Sequence, residues 1–396
     1  MIQVRSVCLS AHLDSFCRRL NELSNGDFEF VYQTGDPGES RRRIGWRIDA
    51  DYRNGLIDAA ATNRSRDCDL LIEMLRELDL MEDRACAGRK TVYVSERWFK
   101  PIPLFDLRLF GCLFLVRLPG VVRLLVPSYR KMAKRFVKLM DDPNFFVCPI
   151  GVHAVRDMVR MYRILHGDWM SYVREPKVES ERQLCGSVIG FPRMFLWAYF
   201  VEQSKSPVAQ APKHHESFLR ILWVGRMLGL KRADTLIKAF KIVAQQRPAA
   251  LLIVGEGPER TRLEQLAGSL KELNQSNDSQ QRPTWSLGRI VFCDFIKNDQ
   301  VRELMRAADV FVMTSNAEEG WCAVVSEALT EGCPVVGTRE VGSVATLLPD
   351  ENLFASGDSE GLSEILRAFS GDMVKYSPEE WSGARAAQEL LQKVKA

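Results

Sequence analysis

Between Asp309 and Thr338 the chain spells out a strand, a helix and a second strand, and this run constrains the fold more than any other. Asp309 to Ser315 (DVFVMTS) is an almost unbroken apolar stretch, the pattern of a strand buried on both faces of a parallel sheet. Gly320 permits a tight turn, and Ala323 to Leu329 has helix-compatible spacing with good helix formers at Ala328 and Leu329. Gly332 supplies the stop expected just past a helix, and Pro334-Val335-Val336 reads as the next strand. Glu319 then lies at the mouth of the helix and Glu327 eight residues later on it, roughly 12 Å apart along the axis at helical rise. The helix N-terminus between the two carboxylates favours an anion.

Two glutamates at this spacing occur by chance in any chain of this size, so the surrounding string carries the weight. NAEEGWCAVVSEALTEGCPVVGT (316–338) resembles the E-x7-E signature of retaining GT-B glycosyltransferases of family 4, which use nucleotide-sugar donors. Glu319-Gly320-Trp321 and Glu327-Ala328, then Gly332-Cys333-Pro334-Val335-Val336, match the family pattern in order. The estimated separation of the two glutamates is about the span from sugar to ribose in an extended sugar-nucleotide.

Three upstream stretches extend the resemblance. In LRILWVGRMLGLKRADTLIKAF (219–240) a strand ends at Gly225-Arg226 and an amphipathic helix follows, with Leu236, Ile237 and Phe240 on one side. Arg226 and Lys231 occupy the family's positions for two cations that hold a diphosphate leaving group as negative charge builds on it. Arg232 offers the same assignment one residue along, and taken alone a Lys-Arg pair at a helix start is an ordinary solvated face. ALLIVGEGPER (250–260) is a strand running into a Gly-x-Gly-Pro turn, where Gly255 and Gly257 permit a close backbone approach and Pro258 can open the next helix. In RIVFCDFIKNDQVRELMRAADVFV (289–312) the family's glycine after the strand is Asp294, and Phe295 and Ile296 fall where the nucleotide base is contacted.

The global numbers fit two domains. The chain has 396 residues, 46% apolar and 27% charged, enough for two cores in an ordinary globular composition. A net charge of +3 argues neither for nor against nucleic acid, and no nucleic-acid partner is expected. Ten cysteines are scattered without C-x-x-C or metal-ligand spacing, which suits a reducing cytosol and gives no metal site. The start (MIQVRSVCLS) lacks the basic and apolar regions of a signal peptide, and no apolar run reaches the ~18 residues of a membrane span. The expected location is the cytoplasm.

The N-terminal half shows short strand signals at Ile2–Leu9, Phe28–Tyr32, Asp69–Ile72, Thr91–Val94 and Phe145–Ile150, the pattern of a second parallel sheet. It departs from the family twice. Where members often carry a Gly-Gly loop after the first strand, the chain reads Ser10-Ala11-His12-Leu13. Where many carry a histidine after a later strand, it reads Ser95-Glu96-Arg97. His12, Glu96 and Arg97 are the acceptor-side candidates here, each with a plain surface role as the alternative.

From Leu107 to Met140 there is no acidic residue, while Arg108, Arg117, Arg123, Arg130, Lys131, Lys134, Arg135 and Lys138 alternate with Leu, Phe and Val. Such a stretch can lie on an anionic membrane at the inner face, or it can be core with a solvated basic face. Ser204–Glu216 (SKSPVAQAPKHHE) reads as an interdomain linker, and Lys271–Ser286 as a polar exposed loop. Ser377–Ala396 reads as a helix capped from Ser377-Pro378 that can return to the first domain.

The expected architecture is therefore GT-B: residues 1–203 a Rossmann-like acceptor-side domain, 204–216 a linker, 217–375 the nucleotide-sugar domain, and 376–396 a C-terminal helix, with a cleft between the two domains. The resemblance implies transfer of a sugar from a nucleotide-diphosphate donor to a carbohydrate or lipid-linked hydroxyl with retention and without metal or cofactor. It assigns catalysis to Glu319, Arg226 and Lys231. Donor contacts fall to Gly225, Gly255, Gly257, Phe295, Ile296, Gly320, Trp321, Cys322 and Glu327 as well. The alternatives are a non-catalytic nucleotide-sugar-binding subunit and a sugar-nucleotide epimerase of the same fold.

Overall fold

The computed structural model describes residues 1–7, 11–33, 54–100, 105–109, 112–116, 119–174, 183–202, 218–273, 283–370 and 376–395. Among these, one compact unit holds residues 1–200 together with 379–395, and the other holds 201–378. The 204–216 linker lies outside the described residues.

In the first unit the elements run β1 (Ile2–Ser6), α1 (Ala11–Leu23), β2 (Phe28–Tyr32), β3 (Asn54–Leu56), α2 (Ala59–Asp67), β4 (Leu70–Glu73), α3 (Leu78–Cys86) and β5 (Lys90–Ser95). A hairpin β6 (Phe105–Leu109) and β7 (Cys112–Val116) follows, then α4 (Pro127–Met140), β8 (Phe145–Pro149), α5 (Val152–Leu165), β9 (Ser187–Val188) and β10 (Phe191–Phe195). The sheet order is β3-β2-β1-β4-β5-β8-β10-β9, parallel except for β9. The five strand signals of the sequence correspond to β1, β2, β4, β5 and β8, with ends shifted by up to a few residues. Residues 107–140 divide into hairpin, a 3-10 turn (Gly120–Leu125) and α4. On α4 the buried residues are Ala133, Phe136, Val137, Leu139 and Met140, so that part of the basic stretch is core with a solvated face.

The second unit runs β11 (Leu219–Val224), α6 (Ala233–Val243), β12 (Ala249–Val254), α7 (Arg260–Ala267), β13 (Lys271–Leu273), β14 (Ile290–Cys293) and α8 (Asn298–Ala307). It continues through β15 (Val310–Met313), α9 (Ala323–Thr330), β16 (Val335–Thr338), α10 (Gly342–Leu347), β17 (Leu353–Phe354) and α11 (Ser359–Ala368). All seven strands are parallel, in the order β13-β14-β12-β11-β15-β16-β17. Alternate residues feed two cores. Ile221, Leu251, Ile253, Val310 and Val312 pack with α6 and α11 on one face, while Leu222, Leu252, Val254, Phe311 and Met313 pack with α8, α9 and α10 on the other.

Two local expectations change. Lys271–Leu273, read as loop, is the edge strand β13; its ladder is made by backbone, and its three exposed side chains hide it from a hydrophobicity reading. The last helix, α12, runs Gly383–Lys395 and not from Ser377, because residues 377–382 turn first. It belongs to the first unit, packed on α1 so closely that a Cβ on Gly383 would collide with Ser15 and Phe16.

Candidate functional site

In the second sheet the strand order reverses between β11 and β15. In open parallel sheets, ligands bind at the carboxyl ends of the strands flanking such a switch. The loops that leave those two ends carry Arg226, Lys231 and Glu319. They are stitched together by backbone: the Asn316 N–H donates to the Leu230 carbonyl at 2.8 Å, and the Thr314 hydroxyl donates to the Lys231 carbonyl at 2.6 Å. Thr314 also accepts from the buried Trp223 indole at 3.0 Å. A third loop closes in from β12. A Cβ on Gly255 would fall on the Gly225 carbonyl and one on Gly257 on the Met227 carbonyl. The close approach these glycines permit is thus between two loops, and Met227 N–H donates to the Glu256 carbonyl at 2.7 Å within it.

The Lys231 ammonium is partly buried and lies 2.6 Å from a Glu319 carboxylate oxygen and 3.7 Å from Cys322 Sγ. Burial opposes its charge, but Cys322 and Glu319 more than offset this, so it is held above the usual lysine value. The Cys322 thiol is pushed up to about 12 by burial, with Lys231 opposing. Cys322 takes φ 66° at the N-cap of α9, a left-handed backbone that costs a non-glycine residue free energy. Arg232 also has a left-handed backbone and turns to Asp234 at 3.2 Å, away from the Lys231–Glu319 pair. Arg226, by contrast, is exposed and makes no ion pair among the described residues.

Glu327 is buried on α9, and burial raises its carboxyl above the ordinary value against the pull of Arg302 and of the Asn298 amide, 3.4 Å away. Glu319 lies four residues ahead of α9, so helical rise does not set its distance from Glu327. Trp321 is buried, its indole donating to Ser326 at 3.2 Å, so only its backbone faces the loop. That loop is held by α10: Gly342 N–H donates to the Gly320 carbonyl (2.9 Å), Ser343 N–H to Trp321 (3.0 Å), and Ser343 Oγ to Cys322 (3.2 Å). Phe295 is exposed, whereas Ile296 packs against the core.

In the first unit, His12 stacks on Tyr199 with centroids 5.7 Å apart, and the Tyr199 hydroxyl donates to Glu96 at 2.6 Å. Lys100 pairs with the other Glu96 oxygen at 3.0 Å. Arg97 is separate: it pairs with buried Asp157, which also accepts from Phe99 N–H, and so braces the chain after β5. Sequence reasoning missed Tyr199, Thr314, Asn298 and Ser343. A polar residue directly after β15 was the available signal for Thr314; Ser343, in the first turn of α10, and Tyr199 had none.

Residues 219–372 match the family model described as glycosyl transferases group 1. An uncharacterized glycosyltransferase of Methanocaldococcus jannaschii is 30% identical over 131 residues, covering 33% of this chain and 30% of that protein. The N-acetyl-alpha-D-glucosaminyl L-malate synthase of Bacillus anthracis is 28% identical over 152 residues, covering 38% and 35%. The match thus spans about a third of the length of these curated relatives. Across its whole length the chain shares the fold of the Anabaena protein HepE solved with UDP, with a TM-score of 0.58, 15% identity and 100% of both chains covered. The two parallel-sheet units form a GT-B fold, and residues 219–372 belong to the group 1 glycosyltransferase family.

Proposed function

We propose that this chain is a retaining glycosyltransferase that moves a sugar from a nucleotide-diphosphate donor to a hydroxyl acceptor in polysaccharide or glycolipid biosynthesis. One observation carries the reading: at the sheet's switch point the Lys231 ammonium is already held by Glu319, while Arg226 on the same loop is exposed and unpaired among the described residues. A diphosphate seated between the two cations would release Glu319 to accept from donor-sugar hydroxyls. Glu327 then binds the ribose hydroxyls, and the amides of Gly320, Trp321 and Cys322 help position the donor. The two cations stabilise the leaving diphosphate, and the departing phosphate takes the acceptor's proton on the face it leaves. Burial raises the Glu327 carboxyl above its ordinary value, and a hydroxyl donor would favour the carboxylate.

His12, Tyr199 and Glu96 form the acceptor-side group of this reading. Peripheral attachment at the inner face of a membrane through residues of the 107–140 stretch is part of this reading; among the described residues no helix is long and apolar enough to cross a membrane.

A thermal-shift screen with UDP-, GDP-, ADP- and TDP-sugars tests the donor site, starting with UDP-sugars because the Anabaena neighbour holds UDP. A midpoint rise with one donor, absent in Arg226→Ala, is expected. No rise with any of the four removes the reading. Binding without turnover on any acceptor would instead favour the non-catalytic subunit.

A further inference from the structure

The first unit carries an exposed apolar group that the proposed reaction does not use. Leu125 (66% exposed) and Val126 (50%) lie where the 3-10 turn Gly120–Leu125 meets α4. Trp169 (56%), Met170 (57%) and Val173 (81%) lie on and beside a second 3-10 turn, Trp169–Tyr172, just after α5. The Arg130 guanidinium sits over the Trp169 ring, 5.2 Å from its centroid, one turn along α4 from Val126. Segments distant in sequence thereby form one patch.

These side chains are held outward. Arg160 of α5 donates to the Ser171 carbonyl and, at 2.5 Å, to that of Tyr172; Tyr172 in turn stacks on Trp169 at 5.7 Å. Single exposed aliphatic residues need no explanation, but a clamped group containing Trp and Met marks a contact surface. The exposed charge beside it is mostly basic, with Asp168 as an acidic exception next to Trp169. Lys131, Lys134 and Lys138 are exposed at i, i+3 and i+7, one stripe along α4 that starts at the patch, and Arg174 is exposed next to Val173. Arg135 on the same helix is neutralised by Asp79 and Glu82. Asp168 is the acidic side chain nearest in sequence to the second turn, and it accepts from the Ser171 hydroxyl at 2.9 Å.

We propose that this patch docks the protein on an anionic lipid bilayer. Leu125, Val126, Trp169, Met170 and Val173 enter the boundary between headgroups and acyl chains, and Lys131, Lys134 and Arg174 lie against lipid phosphates. The inference deepens the membrane contact of the transferase reading and rests on it only for its purpose. It replaces a basic stretch with a defined surface, half of which comes from beyond residue 140.

The test is co-sedimentation of the full chain with vesicles of phosphatidylcholine containing phosphatidylglycerol, against phosphatidylcholine alone. Binding to the anionic vesicles at low salt is expected to exceed the neutral ones at least tenfold and to fall as salt rises. The variant L125S/W169S/V173S should lose at least tenfold of it while keeping its melting midpoint, and K131E/K134E should lose a similar share. Absence of wild-type binding to anionic vesicles, indifference to lipid charge, or unchanged binding in the triple variant would each overturn the proposal. Vesicle binding is read without nucleotide and the donor shift without lipid, so failure of one is distinguishable from failure of the other.

Discussion

Both units build a parallel sheet with a switch point, yet their chemistry-bearing side chains are anchored by different means. In the second unit the loops after β11, β12 and β15 are pinned to one another by main-chain carbonyls and by glycines that admit no side chain. In the first unit, His12, Tyr199 and Glu96 touch one another through side chains, by a stack and a hydrogen bond, while main-chain bonds from Ile150 N–H to the Ser95 carbonyl and from Trp197 N–H to the Pro149 carbonyl hold the strand ends beside them. Backbone anchoring tolerates little change in loop length or residue type, whereas a side-chain relay can be rebuilt from other residues.

The largest test of that contrast is removal of the charged groups in the pinned unit. Lys231→Ala and Glu327→Ala should each lower transfer by about 10²–10³-fold with the fold retained by circular dichroism, the size expected for a lost preorganised charge contact. Near-normal turnover at saturating donor in both would break the assignment. Next comes the pin itself. Thr314→Val deletes the bonds to the Lys231 carbonyl and the Trp223 indole, leaving buried polar groups unpaired, which should cost about 1–3 kcal/mol in denaturant unfolding.

Tyr199→Phe probes the relay. It removes one hydroxyl bond to Glu96 and should cost about 1 kcal/mol or less in stability while leaving the donor thermal shift unchanged. A donor shift lost in this variant would mean that the relay also supports donor binding. The smallest effect is the pH slope from Glu327. Its carboxyl is raised in the folded state, so the folded protein holds a proton that the unfolded chain releases. The associated stability is complete below the ordinary carboxyl value and declines as pH rises through the folded value. Glu327→Gln should flatten that decline above about pH 4.5, measured by unfolding at stepped pH without ligand.

What was legible in the sequence follows from the same contrast. β11, β12 and β15 were readable because strands buried on both faces need nearly continuous apolar residues, whereas Lys231, Glu319 and Glu327 were named through the family pattern around them. Trp321 showed its position but not that its ring belongs to the core. Gly255 and Gly257 announced a close approach without saying to what. Asn298 and Tyr199 were silent, because their partners lie 29 and 103 residues away and such pairings leave no local pattern. β13 was hidden for the opposite reason, its contribution being entirely main-chain.

The placement of α12 has a consequence for how the protein is made. Its buried face, Ala386, Ala387, Leu390, Leu391 and Val394, completes the core of the first unit against α1, although it is synthesised after all of the second. A ribosome therefore delivers the second unit whole while the first still lacks one wall, and α1 waits with its apolar side uncovered. Chains usually mature domain by domain from the N-terminus; this one must finish its first unit last, and a nascent chain stalled before Gly383 would expose sticky surface at its oldest end.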